Sequence, residues 1–168
     1  MYALLSLSVA AFDFTQYVAF SDTSAWWTRI AYIFGSRNLF TAIINSILAI
    51  YVFHACSRLN VKHYGLVILL AAVGSTLGTE STIATAGASG LIFAALGCIM
   101  VYSHTRRNVV SMLVVFGVNI ALAAIGETNV RLHIVAFGIA YALCILITCV
   151  ERLKITYNEK QNKQIRRK

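Results

Sequence analysis

Apolar residues run along the chain in six long stretches, separated by short polar breaks. They fall at about 1–20, 38–57, 63–79, 88–104, 108–125 and 130–150, each near the roughly 20 residues a helix needs to cross a hydrocarbon core. The pattern predicts an all-α, polytopic membrane protein with a six-helix transmembrane domain over 1–150 and a tail over 151–168. No Lys or Arg precedes the first stretch, so it lacks the basic start of a cleaved signal peptide and reads as a retained helix. No internal repeat, low-complexity tract or domain linker interrupts the series, and proline is absent.

Composition narrows the class further. The chain is 59% hydrophobic and 12% charged, against roughly 45–50% and about 25% for a soluble domain. A soluble enzyme, a disordered chain, a coiled coil and a nucleic-acid-binding domain are thereby excluded. The formal charge of +8 is uneven: seven of the fourteen basic residues, Arg152, Lys154, Lys160, Lys163, Arg166, Arg167 and Lys168, lie in the last eighteen. A basic tail directly after a hydrophobic span points to cytoplasmic retention and contact with anionic lipid, not to nucleic acid. With six spans the N-terminus shares that side. Arg58, Lys62, Arg106, Arg107 and the tail then put eleven basic residues inside, against Arg29, Arg37 and Arg131 outside, a strong positive-inside asymmetry. The cysteines, Cys56, Cys98, Cys144 and Cys149, have no paired spacing and read as small buried hydrophobes, with no metal or cofactor site implied.

Two outer segments stand apart. Ser21 to Arg37 is long, amphipathic and aromatic, and Trp26, Trp27, Tyr32 and Phe34 suit the headgroup level. Gly74 to Gly87 is polar and reads as a flexible lead into the fourth stretch.

Three residues are candidates for chemistry. The fourth stretch opens Gly87-Ala88-Ser89-Gly90 and stays rich in Gly and Ala to 97, which permits close helix approach and makes it the central helix of the bundle. Ser89 at its start would have free backbone N–H groups and the helix dipole beside it, the setting of a nucleophile with its own oxyanion donor; packing alone also explains such a motif. His133, in the sixth stretch, is an ionisable group inside a span, functional or bonded to a carbonyl. His54, His63 and His104 sit near cytoplasmic ends, where interfacial or loop positions explain them. Asn45, among isoleucines in the second stretch, needs a partner in hydrocarbon, either a neighbouring helix or an oxyanion. All three lie at compatible depths in the outer half, so a Ser–His pair with an amide donor has the parts for acyl transfer. Asp13 in the first stretch is costly unless paired or hydrated and reads as structural.

On these residues the chain resembles the rhomboid family of intramembrane serine proteases over nearly its whole length. The resemblance rests on six spans with a short central fourth helix, Trp27 and Arg29 as a W-x-R variant of the family's Trp-Arg pair, and the order Asn45, Gly87-x-Ser89-Gly90, His133. It implies a Ser89–His133 dyad with no acidic third member and Asn45 with the Ser89 N–H as oxyanion donors. Gly97 keeps a small residue two turns below Ser89. Thr41 stands where many rhomboids carry a second oxyanion histidine, Phe93 where a tyrosine often packs on the histidine ring, and Ala136 and Ala140 replace glycines. These departures mark a divergent member.

The implied activity is that of a serine endopeptidase cleaving transmembrane protein substrates near the outer face of a prokaryotic inner or plasma membrane, without cofactor. A sortase-like subtype that processes C-terminal anchors belongs within it. The alternative is a catalytically silent rhomboid-like protein that binds or chaperones membrane proteins. A small transporter or channel is disfavoured, since neither repeated halves nor charge in the spans beyond Asp13 is present.

Overall fold

A computed structural model describes residues 15–36, 39–59, 63–78, 84–103, 105–124 and 129–165. Asp13, His104 and most of the first expected helix lie outside them. The described elements are α1 (Thr15–Val18), α2 (Thr28–Ala31), a 3-10 turn (Tyr32–Phe34), α3 (Leu39–Arg58), α4 (Tyr64–Leu77), α5 (Ser89–Tyr102), α6 (Arg106–Ala124) and α7 (Val130–Ile165). Extended pairing among the described residues is limited to one antiparallel bridge between Phe20 and Thr85. Two helical stretches, Leu39–Arg58 and Val130–Lys160, are long and apolar enough to cross a membrane. Both bury only a stripe and leave large apolar side chains outside, among them Phe40, Ile47, Ile50, Ile134 and Leu146. An apolar outer face on such a helix matches a lipid surround better than water.

α5 lies innermost. It packs against α7, α4 and α3, and nearly every residue from Gly90 to Ile99 is buried. Small residues make this possible. A Cβ on Gly97 would stand 2.5 Å from the Phe137 carbonyl oxygen and 3.2 Å from the Ala140 Cβ, so α5 and α7 meet backbone to backbone there. Ala136, Ala140 and Cys144 line the facing stripe of α7 and are fully buried. At 14 residues, α5 is about 21 Å long, shorter than a full hydrocarbon core of about 30 Å.

Several expectations change against this frame. The sixth helix was expected over 130–150 and runs to Ile165, because Arg152–Gln164 is rich in helix-forming charged side chains and holds no glycine or proline to stop it. The stretch from Gly74, expected to be flexible, begins inside α4. Ser75 and Thr76 are buried there and donate their hydroxyls to the Ala72 and Val73 carbonyls at 2.7 Å each, which lets polar side chains sit in an apolar helix without orphaned donors. Cys56, Cys98 and Cys144 are buried but Cys149 is exposed, because it lies on the outward face of α7. Tyr32, expected at headgroup level, is fully buried, and its hydroxyl donates to the Ala72 carbonyl at 2.9 Å. Burial pushes its phenol well above the usual range, so it stays a neutral donor.

The segment before α3 is held to the bundle by polar contacts. The Arg29 guanidinium donates to the Thr76 carbonyl at the C-terminal end of α4, where the helix dipole favours a cation. It also stacks over the Phe20 ring at 4.7 Å. Trp26 and Trp27 point outward instead, 75% and 44% exposed.

Candidate active site

Ser89 is the first residue of α5. The chain reaches it through Gly87, whose φ of +138° is a conformation closed to residues with a Cβ. The Gly87 N–H donates to the Tyr32 carbonyl at 2.8 Å, and the Ile92 N–H closes the first turn on the Ala88 carbonyl at 3.0 Å. The Ser89 N–H therefore belongs to the first turn, whose donors have no partner within the helix.

α7 brings the histidine. Asn129 caps that helix: its side-chain oxygen accepts from the Leu132 N–H at 3.1 Å and its carbonyl from the His133 N–H at 3.3 Å. The Asn129 amide also donates to the Thr85 hydroxyl at 3.3 Å, and Thr85 exchanges two 2.8 Å backbone bonds with Phe20. The start of α7, the approach to α5 and the segment after α1 are thus linked by one run of hydrogen bonds.

Across the α5–α7 contact, His133 Nε2 lies 2.6 Å from Ser89 Oγ. The imidazole is 2% exposed and its Nδ1 lies 2.9 Å from Asn119 Oδ1 on α6. One face of the ring is covered by Phe93, parallel to it within 2° at a centroid distance of 4.6 Å. Phe116 packs edge-on against Phe93, and Phe137 against Phe116. Ser89, Phe93 and Gly97 recur every four residues along α5 and so present one face to α7. The aromatic platform fixes the ring plane, and the two ring nitrogens fix its rotation.

Asn45 comes in from α3. A Cβ on Gly87 would stand 3.2 Å from Asn45 Nδ2 and 4.0 Å from Ser89 Oγ. The Gly35 carbonyl oxygen lies 4.0 Å from the same point, so the place of the missing Cβ is bordered by an amide, a hydroxyl and a backbone carbonyl. Asn45 Nδ2 is thus a hydrogen-bond donor close to the Ser89 hydroxyl, the kind of group that can stabilise developing negative charge. Thr41, one turn before Asn45, is partly buried. Gly90 is needed for another reason: a Cβ would meet the Tyr32 hydroxyl at 2.5 Å.

The structure therefore gathers Ser89, His133, Phe93, Gly87 and Asn45 at one end of the bundle, while Arg29 binds the end of α4 and Phe20 instead, and Trp27 is exposed. Asn119 was missed. An asparagine in FGVNIALAA is a polar residue in an apolar helix, the same signal that singled out Asn45, and that signal could have found it. Among the described residues no group of three or more His, Cys, Asp or Glu side chains is placed to hold a metal ion.

No protein-family model, curated protein or solved structure matches the chain.

Proposed function

We propose that this chain is a divergent rhomboid-type intramembrane serine endopeptidase. Six membrane spans carry it, both termini are cytoplasmic, and it cleaves transmembrane protein substrates near the outer face of the membrane. The single observation that carries the reading is the 2.6 Å contact between Ser89 Oγ and His133 Nε2, made by a partly exposed serine at a helix start and a buried histidine.

In this mechanism His133 removes the Ser89 hydroxyl proton as Oγ attacks the scissile carbonyl of a partly unwound substrate helix. The tetrahedral oxyanion faces the space before Gly87, where Asn45 and the Ser89 N–H donate to it. His133 then passes its proton to the leaving amine, and the acyl-enzyme is hydrolysed by water activated by the same base. A serine and histidine held this close favour turnover over a silent, binding-only role.

The test is cleavage by the purified full chain in vesicles of phosphatidylethanolamine and phosphatidylglycerol, using a panel of single-span fusion proteins with glycine or serine near the outer end of the span. Cleavage that disappears in both Ser89→Ala and His133→Ala supports the reading. Cleavage that survives either substitution contradicts it.

A further inference from the structure

The ring of His133 makes two hydrogen bonds, and the mechanism above uses one. The other runs from Nδ1 to Asn119 Oδ1 at 2.9 Å, between two side chains that are 2% and 8% exposed. Among the residues of α6 whose side chains are described, Asn119 is the buried one; the others are half-buried or exposed. An amide oxygen only accepts, so Nδ1 carries the proton and Nε2 is left with its lone pair toward Ser89. We propose that Asn119 is a positioning residue: it sets the tautomer of His133 that makes Nε2 the base, and it holds the imidazolium that forms during turnover. This rests on the reading of Ser89 and His133 as a catalytic pair, and it adds a third, uncharged member drawn from a different helix.

The chemistry requires such a partner more here than in water. When Nε2 takes the Ser89 proton, both ring nitrogens carry N–H and the ring is cationic. The Nδ1–H then needs an acceptor in a site with little water. A carboxylate would serve but would place a charge among Phe93, Phe116 and Phe137. A neutral amide orients the ring at a lower desolvation cost. Because the acceptor comes from α6, the protonation pattern of the base depends on how that helix is docked.

Two variants separate positioning from packing. Asn119→Leu keeps the size and removes the acceptor, whereas Asn119→Asp keeps an acceptor at the same place. A structural role in an apolar surround ranks Leu at least equal to Asp in both thermal stability and reactivity. Positioning gives opposite orders: Leu equals or exceeds Asp in melting temperature, yet Asp retains more of the rate of Ser89 modification by a fluorophosphonate. The expected loss for Asn119→Leu is about 10–100-fold, the range seen when the outer hydrogen-bond partner of a metal-ligating histidine is removed. Equal rates for parent and Asn119→Leu would overturn the proposal while leaving the Ser–His reading intact. A parent that is not modified at Ser89 would overturn the Ser–His reading.

A measurement independent of reactivity closes the question. In the full chain with His54, His63 and His104 replaced by glutamine and 15N-labelled imidazole, the nitrogen shifts should show His133 as the Nδ1–H tautomer. The Asn119→Leu variant should show a mixture or the Nε2–H form. An Nε2–H ring in the parent, or an unchanged ring in the variant, would refute the role of Asn119 whatever the protein cleaves.

Discussion

Gly97 on α5 and Phe137 on α7 touch through their backbones, with 2.5 Å between the Phe137 carbonyl oxygen and the point where a Gly97 Cβ would stand. This contact sets the spacing of the two helices that carry Ser89 and His133. Substituting Gly97→Ala leaves no flexible side chain to give way, since the Tyr141 N lies 3.1 Å from the same point. We expect a loss of about 1–3 kcal/mol from overpacking and a larger loss in Ser89 reactivity than stability alone explains. Gly138→Ala, where nothing lies within 4 Å, is the control and should be neutral or stabilising by about 0.5–1 kcal/mol. Thermal unfolding in detergent, compared between the two variants, checks the contrast.

The segment before α3 should be held by Tyr32 more than by Trp27. Tyr32 is fully buried and bonded to the Ala72 carbonyl, whereas Trp27 is 44% exposed. Tyr32→Ala should cost about 3–5 kcal/mol as a buried aromatic truncation, and Tyr32→Phe only about 0.5–1.5 kcal/mol. Trp27→Ala should lower stability less than Tyr32→Ala but move the loop in the interface. Quenching of Trp26 fluorescence by brominated lipids reads that depth.

If Asn45 supplies an oxyanion donor, Asn45→Ala should lower turnover on the order of 10²–10³-fold with little change in KM. Thr41→Val should lower it only slightly, because a hydroxyl there adds at most one weaker donor. Steady-state kinetics on a cleaved single-span fusion protein separate the two parameters. A KM effect alone would move Asn45 from the oxyanion to substrate binding.

Much of this arrangement was legible in residue patterns. The polar breaks at 58–62 and 105–107 fall within a few residues of the ends of α3 at Arg58 and α5 at Tyr102, and the small residues from 87 to 97 anticipated the innermost helix. Ser89 was placed at a helix start by the glycines around it, and His133 and Asn45 by the cost of polar groups among apolar ones. Distances between helices were beyond such reasoning, because they depend on backbone contacts like that of Gly97 with Phe137. Asn119 carries the same signal as Asn45, a polar residue among apolar ones, but its pairing with His133, fourteen residues away across a helix connection, follows from no spacing rule. Tyr32 was misplaced because its aromatic neighbours suggested a shared interface, whereas its hydroxyl finds an acceptor inside. The continuation of α7 to Ile165 follows from local helix propensity, to which hydropathy is blind beyond residue 150.

In the proposed mechanism Ser89 is a nucleophile activated by His133. The most direct test is modification of the folded, membrane-reconstituted chain by a serine-reactive fluorophosphonate, with the adduct located by mass spectrometry. A single adduct on Ser89 is expected, absent after heat unfolding and absent in His133→Ala as well as Ser89→Ala, since members of one catalytic unit fail together. An adduct that persists in Ser89→Ala, or a native parent that takes none, would contradict that mechanism.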